Sequence, residues 1–215
     1  MRLPETSIDE RDPYARAYIF MRLAIGLFGF AFPLVVVLVE PLVFYGQPFL
    51  RGSLSAYYYS GMREVFVGAL WAIGVFLIIY KALRWTWDGV LSTVAGILFV
   101  AVAVFPTGRP GEGFPRTPLQ DRLGEPTVEA IHFSAAGLAI FLLAAISALF
   151  GKELRRTRRV HVACAVAILA ALALAGYAGI TGGPDKALLF AEWAAVWAFA
   201  VSWLATVELH RLFER

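Results

Sequence analysis

The chain has 215 residues, 60% of them hydrophobic and only 16% charged, and its mean hydropathy is +0.70. A soluble domain carries roughly 45–50% apolar and about 25% charged residues, so this excess cannot be hidden in one globular core and argues against a soluble enzyme or a DNA-binding module. The net charge of +3 is too small and too dispersed for a nucleic-acid partner, and the single cysteine, Cys164, excludes an internal disulfide and a Cys-cluster metal site.

Six stretches approach the ~20 apolar residues that a helix needs to cross a ~30 Å bilayer core. Residues 1–22 form a mixed-charge tail, and 23–44 the first span, with Pro33 inside it and Glu40-Pro41 near its end. No small-x-small cleavage site follows this span, so it is read as an uncleaved anchor. Residues 46–61 make a loop rich in Tyr, Ser and Gly, and 62–80 the second span. A tight connection with Trp85 and Trp87 leads to the third span at 88–106. The loop 107–127 contains Pro110, Pro115, Pro118 and Pro126 and is expected to be irregular. The fourth span covers 129–150, the fifth 160–180 and the sixth 187–209, leaving 210–215 as a tail. None alternates with the period of two of a membrane barrel strand. The expectation is an all-α, six-span bundle occupying 23–209.

Thirteen of the 19 Lys and Arg residues fall on one side of this arrangement and six on the other, with the block from Lys152 to Arg159 decisive. Basic loops stay in the cytoplasm, so both termini are expected there, with the 46–61 and 107–127 loops outside. The fifth span carries Ala163, Ala167, Ala171, Ala175 and Gly179, four residues apart. Such a stripe lets another helix approach closely. Packing inside the bundle is one reading and a homo-oligomer contact the other.

Ionisable residues at membrane depth are costly, so their placement is informative. Glu40, Arg63, Glu64, Glu129, His132 and Glu192 all lie near the outer ends of spans, while the inner half is nearly bare apart from Asp88 at its boundary. Glu192 sits among Leu188, Leu189, Phe190 and Trp193, and Arg63 is its expected partner. Glu129 and His132 stand three apart, on one helix face. Glu-x-x-His is a spacing used by metal-binding bundles, but Glu129 also suits a first helical turn, and His132 could bond a backbone carbonyl. A divalent metal is therefore one of two readings, and no other cofactor is legible. Tyr57, Tyr58 and Tyr59, flanked by Ser55 and Ser60, could form an aromatic belt or fold back toward this cluster. Ser55 would serve as a nucleophile if His132 reached it. His161 and His210 lie at inner span ends, a membrane thickness from His132.

Ser53-x-Ser55-Ala56-Tyr57-Tyr58-Tyr59 followed by Met62-Arg63-Glu64-x-Phe66-Val67-Gly68 resembles a segment of an uncharacterised family of bacterial multi-pass membrane proteins. Phe105-Pro106-Thr107, His132, and the run from Glu192 to Ser202-Trp203 look similar too. Glu64 stands where Asp is expected, and Ala205-Thr206 replaces a basic-glycine ending. The resemblance implies an inner-membrane location and points to the same outer residues, without adding chemistry. A looser similarity, at the level of class alone, is to ceramidase-like intramembrane hydrolases, whose paired His-x-x-x-His in the last span is missing here.

Two functions follow as expectations. The first is binding or processing of a lipid or other amphipathic molecule from the outer leaflet. His132, Glu192, Glu64 and Ser55 would be its catalytic candidates. Arg63, Tyr57, Tyr58 and Tyr59 would bind substrate, with Arg63 holding a phosphate or carboxylate, and Glu129 with His132 would be metal ligands. The second is a transporter, a channel or a non-catalytic subunit of a membrane complex. The apolar mid-depth of the spans argues against an ion pore within one chain.

Overall fold

The computed structural model describes residues 13–44, 50–80, 86–182 and 186–207. Seven helices account for most of them: α1 (Pro13–Val43), α2 (Arg63–Ile79), α3 (Trp87–Val104), α4 (Pro118–Leu123), α5 (Glu125–Glu153), α6 (Arg158–Thr181) and α7 (Ala187–Leu204). A 3-10 turn, Ser55–Tyr59, precedes α2, and no strand occurs among the described residues. Trp85, His210 and the terminal basic residues Arg2, Arg11, Arg211 and Arg215 lie outside them.

Five helices are long and apolar enough to cross a membrane: α3, α5, α6, α7 and the Arg22–Val43 part of α1. The 22 residues of that part extend about 33 Å at 1.5 Å per residue, close to the bilayer core. The 17 residues of α2 sit at the short end of the range that spans a bilayer. Large apolar side chains cover the outside of the bundle, among them Leu42, Ile97, Phe141, Val166 and Ile180, the last 88% exposed. In water that surface would drive association; facing lipid it is the expected exterior of a multi-pass membrane protein.

Packing runs round a ring in the order α1, α2, α3, α5, α6, α7 and back to α1, with α1 and α2 the more loosely joined neighbours. Glycine sets the closest approach. A Cβ on Gly74 would lie 2.8 Å from the Gly96 carbonyl oxygen, and one on Gly96 would meet the backbone of Gly74 and Ile78. Only glycine at both positions lets α2 and α3 pack backbone to backbone. The Ser92 hydroxyl donates to the Leu77 carbonyl at 2.7 Å across the same seam. Between α1 and α7 the link is indole to carbonyl. Trp197 donates to Phe30 at 3.0 Å and Trp203 to Arg22 at 2.9 Å. Pro33 has no N–H, so the Gly29 carbonyl one turn earlier loses its helical donor, and Trp197 bonds the adjacent carbonyl, that of Phe30.

Next to Trp203, His161 is fully buried between Thr157 and Ser202, with ring nitrogens 3.0 and 2.9 Å from their hydroxyls. The small-residue stripe does not form a single seam. Ala171 is buried, whereas Ala163, Ala167 and Gly179 are exposed. Each four-residue step overshoots a full turn by about 40°, so the stripe winds round α6 rather than following one neighbour.

Three features differ from expectation, the first being that α1 is already helical from Pro13, within the stretch read as a tail. α5 starts at Glu125, so Glu125 rather than Glu129 occupies the first turn. The proline-rich loop contains α4, whose Pro118 lies in the first turn, where the missing N–H costs nothing. Thr117 and Gln120 close a reciprocal capping box there: Gln120 N donates to Thr117 Oγ1 at 3.3 Å and Thr117 N to Gln120 Oε1 at 2.9 Å.

Candidate functional site

The segment from Arg51 to Met62 folds back into the bundle. Its serines build the turn: Ser53 Oγ accepts from Ala56 N at 3.0 Å. Ser60 Oγ donates to the Tyr57 carbonyl at 2.6 Å and accepts from Met62 N at 3.0 Å. Such local bonds are what make Ser favoured in turns. Leu54, Tyr57, Tyr58 and Met62 are buried in one core with Phe32, Val36, Phe66 and Leu189. The three tyrosines are therefore not an exposed belt: Tyr57 is fully buried, and burial, aided by the charge of Glu40, raises its phenol above the ordinary value.

Glu40 and Arg51 form the buried ion pair of this region. Arg51 Nη2 lies 2.5 Å and Nε 2.9 Å from the carboxylate, and Glu40 has no exposed surface. The Arg51 guanidinium also sits 5.8 Å from the centre of the Tyr57 ring. Along the sequence Arg51 is one more base in a loop; its partner, Glu40, lies on the preceding helix and the pairing depends on how the loop folds back.

Glu192 takes different partners from the one expected. Its Oε2 accepts from Leu54 N at 2.6 Å, and Ser55 Oγ donates to Oε1 at 3.4 Å. One turn earlier, Leu189 N in the first turn of α7 donates to the Gly52 carbonyl at 3.1 Å. The 50–60 loop and the start of α7 thus satisfy each other's backbone groups. Arg63 is exposed at the start of α2 and donates instead to the Tyr58 hydroxyl at 2.9 Å, with its guanidinium 4.6 Å from the Tyr58 ring centre. Glu64 is exposed.

His132 is 1% exposed, and its Nδ1 lies 2.7 Å from the Phe105 carbonyl just past the end of α3. A carbonyl can only accept, so Nδ1 carries a proton and donates to it. His132 Nε2 is buried and has no hydrogen-bond partner among the described residues. Ser55 and His132 bond to other groups, so these contacts do not assemble a nucleophile–base pair. The Glu129 carboxylate lies beside Gly108, close enough that a Cβ there would come within 2.6 Å of it. Among the described residues, no group of three His, Cys, Asp or Glu side chains is placed to hold a metal ion.

Tyr59 joins this segment to the longer loop: it donates to the Thr107 carbonyl at 2.9 Å and accepts from the buried Gln120 at 2.8 Å. Arg109 braces the same loop by pairing with Glu125 at 2.9 Å and donating to the Phe114 carbonyl at 2.8 Å.

Beneath the turn lies a cavity of about 60 Å³ whose lining includes Phe32, Phe66, Val102 and Ala136, and whose only polar members are Ser55 and Glu192. A second cavity of about 60 Å³ reaches toward Ile25 and Trp203. The two share Phe32, Leu70, Phe99, Leu143 and Val196. None of the family models, curated proteins or solved structures compared with the chain matches it.

Proposed function

We propose that the chain is a six-span protein of the bacterial inner membrane, with both termini cytoplasmic, that binds a lipid or other amphipathic molecule at the outer end of its bundle. In this reading α2 is the remaining span beside the five longer ones, and the distribution of Lys and Arg sets the orientation. The observation that carries the ligand class is the pair of adjoining cavities, apolar throughout apart from Ser55 and Glu192 at one end. That lining matches a hydrocarbon chain with one polar group. Ser55 and Glu192 meet the polar end, and Phe32, Phe99 and Leu143 line the path of the chain. Binding rather than turnover is favoured, because Ser55 faces a carboxylate and His132 faces a backbone carbonyl.

The test is native mass spectrometry of protein extracted in mild detergent. Wild type should retain an amphiphile that Ala136→Leu, which fills the cavity, releases. Leu138→Ala, two residues away on the exposed face of α5, should retain it. Equal retention by Ala136→Leu and wild type, or no amphiphile in either, overturns the proposal.

A further inference from the structure

Arg63, separated from Glu192 in its contacts, lines a different recess. A cleft of about 270 Å³ lies between the Tyr58–Arg63 segment and residues 114–118, with Arg63 and Arg116 as its charged members and no carboxylate in its lining. We propose that this cleft is a binding site for a phosphate group, held by the two guanidiniums together with the Tyr58 hydroxyl.

Three features support it. First, both cations are available: Arg63 and Arg116 are exposed, and neither pairs with a carboxylate among the described residues. Guanidinium presents forked N–H donors that match phosphate oxygens. Second, Arg63 is held in position. Its Nη2 bonds the Tyr58 hydroxyl, which accepts from it and so keeps its own proton for a ligand. Third, the walls are fixed before any ligand arrives. Tyr59 is tied to Thr107 and Gln120, Phe114 packs edge-on against Tyr59 at 5.9 Å, and Arg109 holds the Phe114 carbonyl. Such preorganisation lowers the cost of ordering a site on binding. The nearby Glu125 pairs with Arg109 rather than with either cleft arginine, although its charge also reaches Arg116.

A phosphate could come from a lipid head group or from a soluble phosphate ester, and the experiment separates the two. Protein in phosphatidylcholine nanodiscs is titrated with glycerol 3-phosphate, and spin-labelled phosphatidic acid is introduced in a second series. Tightening by glycerol 3-phosphate alone identifies a soluble ester; immobilisation of phosphatidic acid alone identifies the head group. In whichever series binds, Arg63→Gln and Arg116→Gln should each weaken affinity by about tenfold or more, as loss of a charge-assisted hydrogen bond does. Arg122→Gln, exposed on α4 outside the cleft, should leave it unchanged. Arg116 makes no hydrogen bond or ion pair within the described structure, so its variant probes binding without a folding role. No binding in either series, or wild-type affinity in both arginine variants, overturns the proposal. Ala136→Leu should leave phosphate binding intact, so this site and the Glu192 cavity can fail separately.

Discussion

Removing Arg51 tests the loop-to-helix ion pair most directly. Glu40 has 0% side-chain exposure and Arg51 10%, and the contacts of 2.5, 2.9 and 3.1 Å use both carboxylate oxygens. At an effective dielectric constant of about 20, unit charges ~4 Å apart attract by about 4 kcal/mol. Arg51→Met removes that attraction and strands a carboxylate with no route to water, a class of change that costs about 3–5 kcal/mol. Glu40→Met should cost less, because Arg51 is nearer the surface and can turn outward. The double variant Glu40→Met/Arg51→Met should recover most of the loss, since a buried pair replaced by apolar side chains is often close to neutral. Equilibrium unfolding in mixed detergent micelles, followed by tryptophan fluorescence, measures all four corners of the cycle. A loss below about 1 kcal/mol for Arg51→Met, the range of a solvent-exposed pair, would refute the reasoning. So would a double variant as unstable as the sum of the singles.

Gly96→Ala should destabilise by about 1–3 kcal/mol, because its methyl meets the backbone of Gly74 and Ile78 on α2, which cannot rotate away as the Ile78 side chain could; Gly137→Ala, with nothing within 4 Å, is the neutral control in the same unfolding assay. Tyr57 and Tyr59 should ionise only above the ordinary phenol value of 10.0, chiefly because burial disfavours the phenolate. Above that value the native state holds more protons than the unfolded one, so stability should fall as pH rises through the window between the unfolded and folded values. Near-ultraviolet phenolate absorbance checks this, and simultaneous ionisation of all tyrosines at the ordinary value would contradict it.

Some of this was legible one residue at a time. The helices follow from apolar runs of bilayer length, because lipid forces each segment to satisfy its own backbone. Thr117-Pro118-x-Gln120 is a capping-box signature that the surrounding prolines obscured. The turn around Tyr57 was hinted at by Ser53 and Ser60, whose hydroxyls bond locally. The partners of the buried charges were not legible. Glu192 bonds Leu54 N across a separation of 138 residues, and Glu40 bonds an arginine in the following loop.

Sequence alone therefore determines the helical, lipid-compatible character of this protein and the end of the bundle where its ionisable residues gather, since both depend on hydropathy and spacing along the chain. Tertiary structure alone decides the pairing. It sends Arg51 to Glu40, brings backbone amides to Glu192, and sets Arg63 beside Arg116 in a separate cleft. Short-range hydrogen bonds and charge pairs depend on distances that only the packed helices and their re-entrant loop establish.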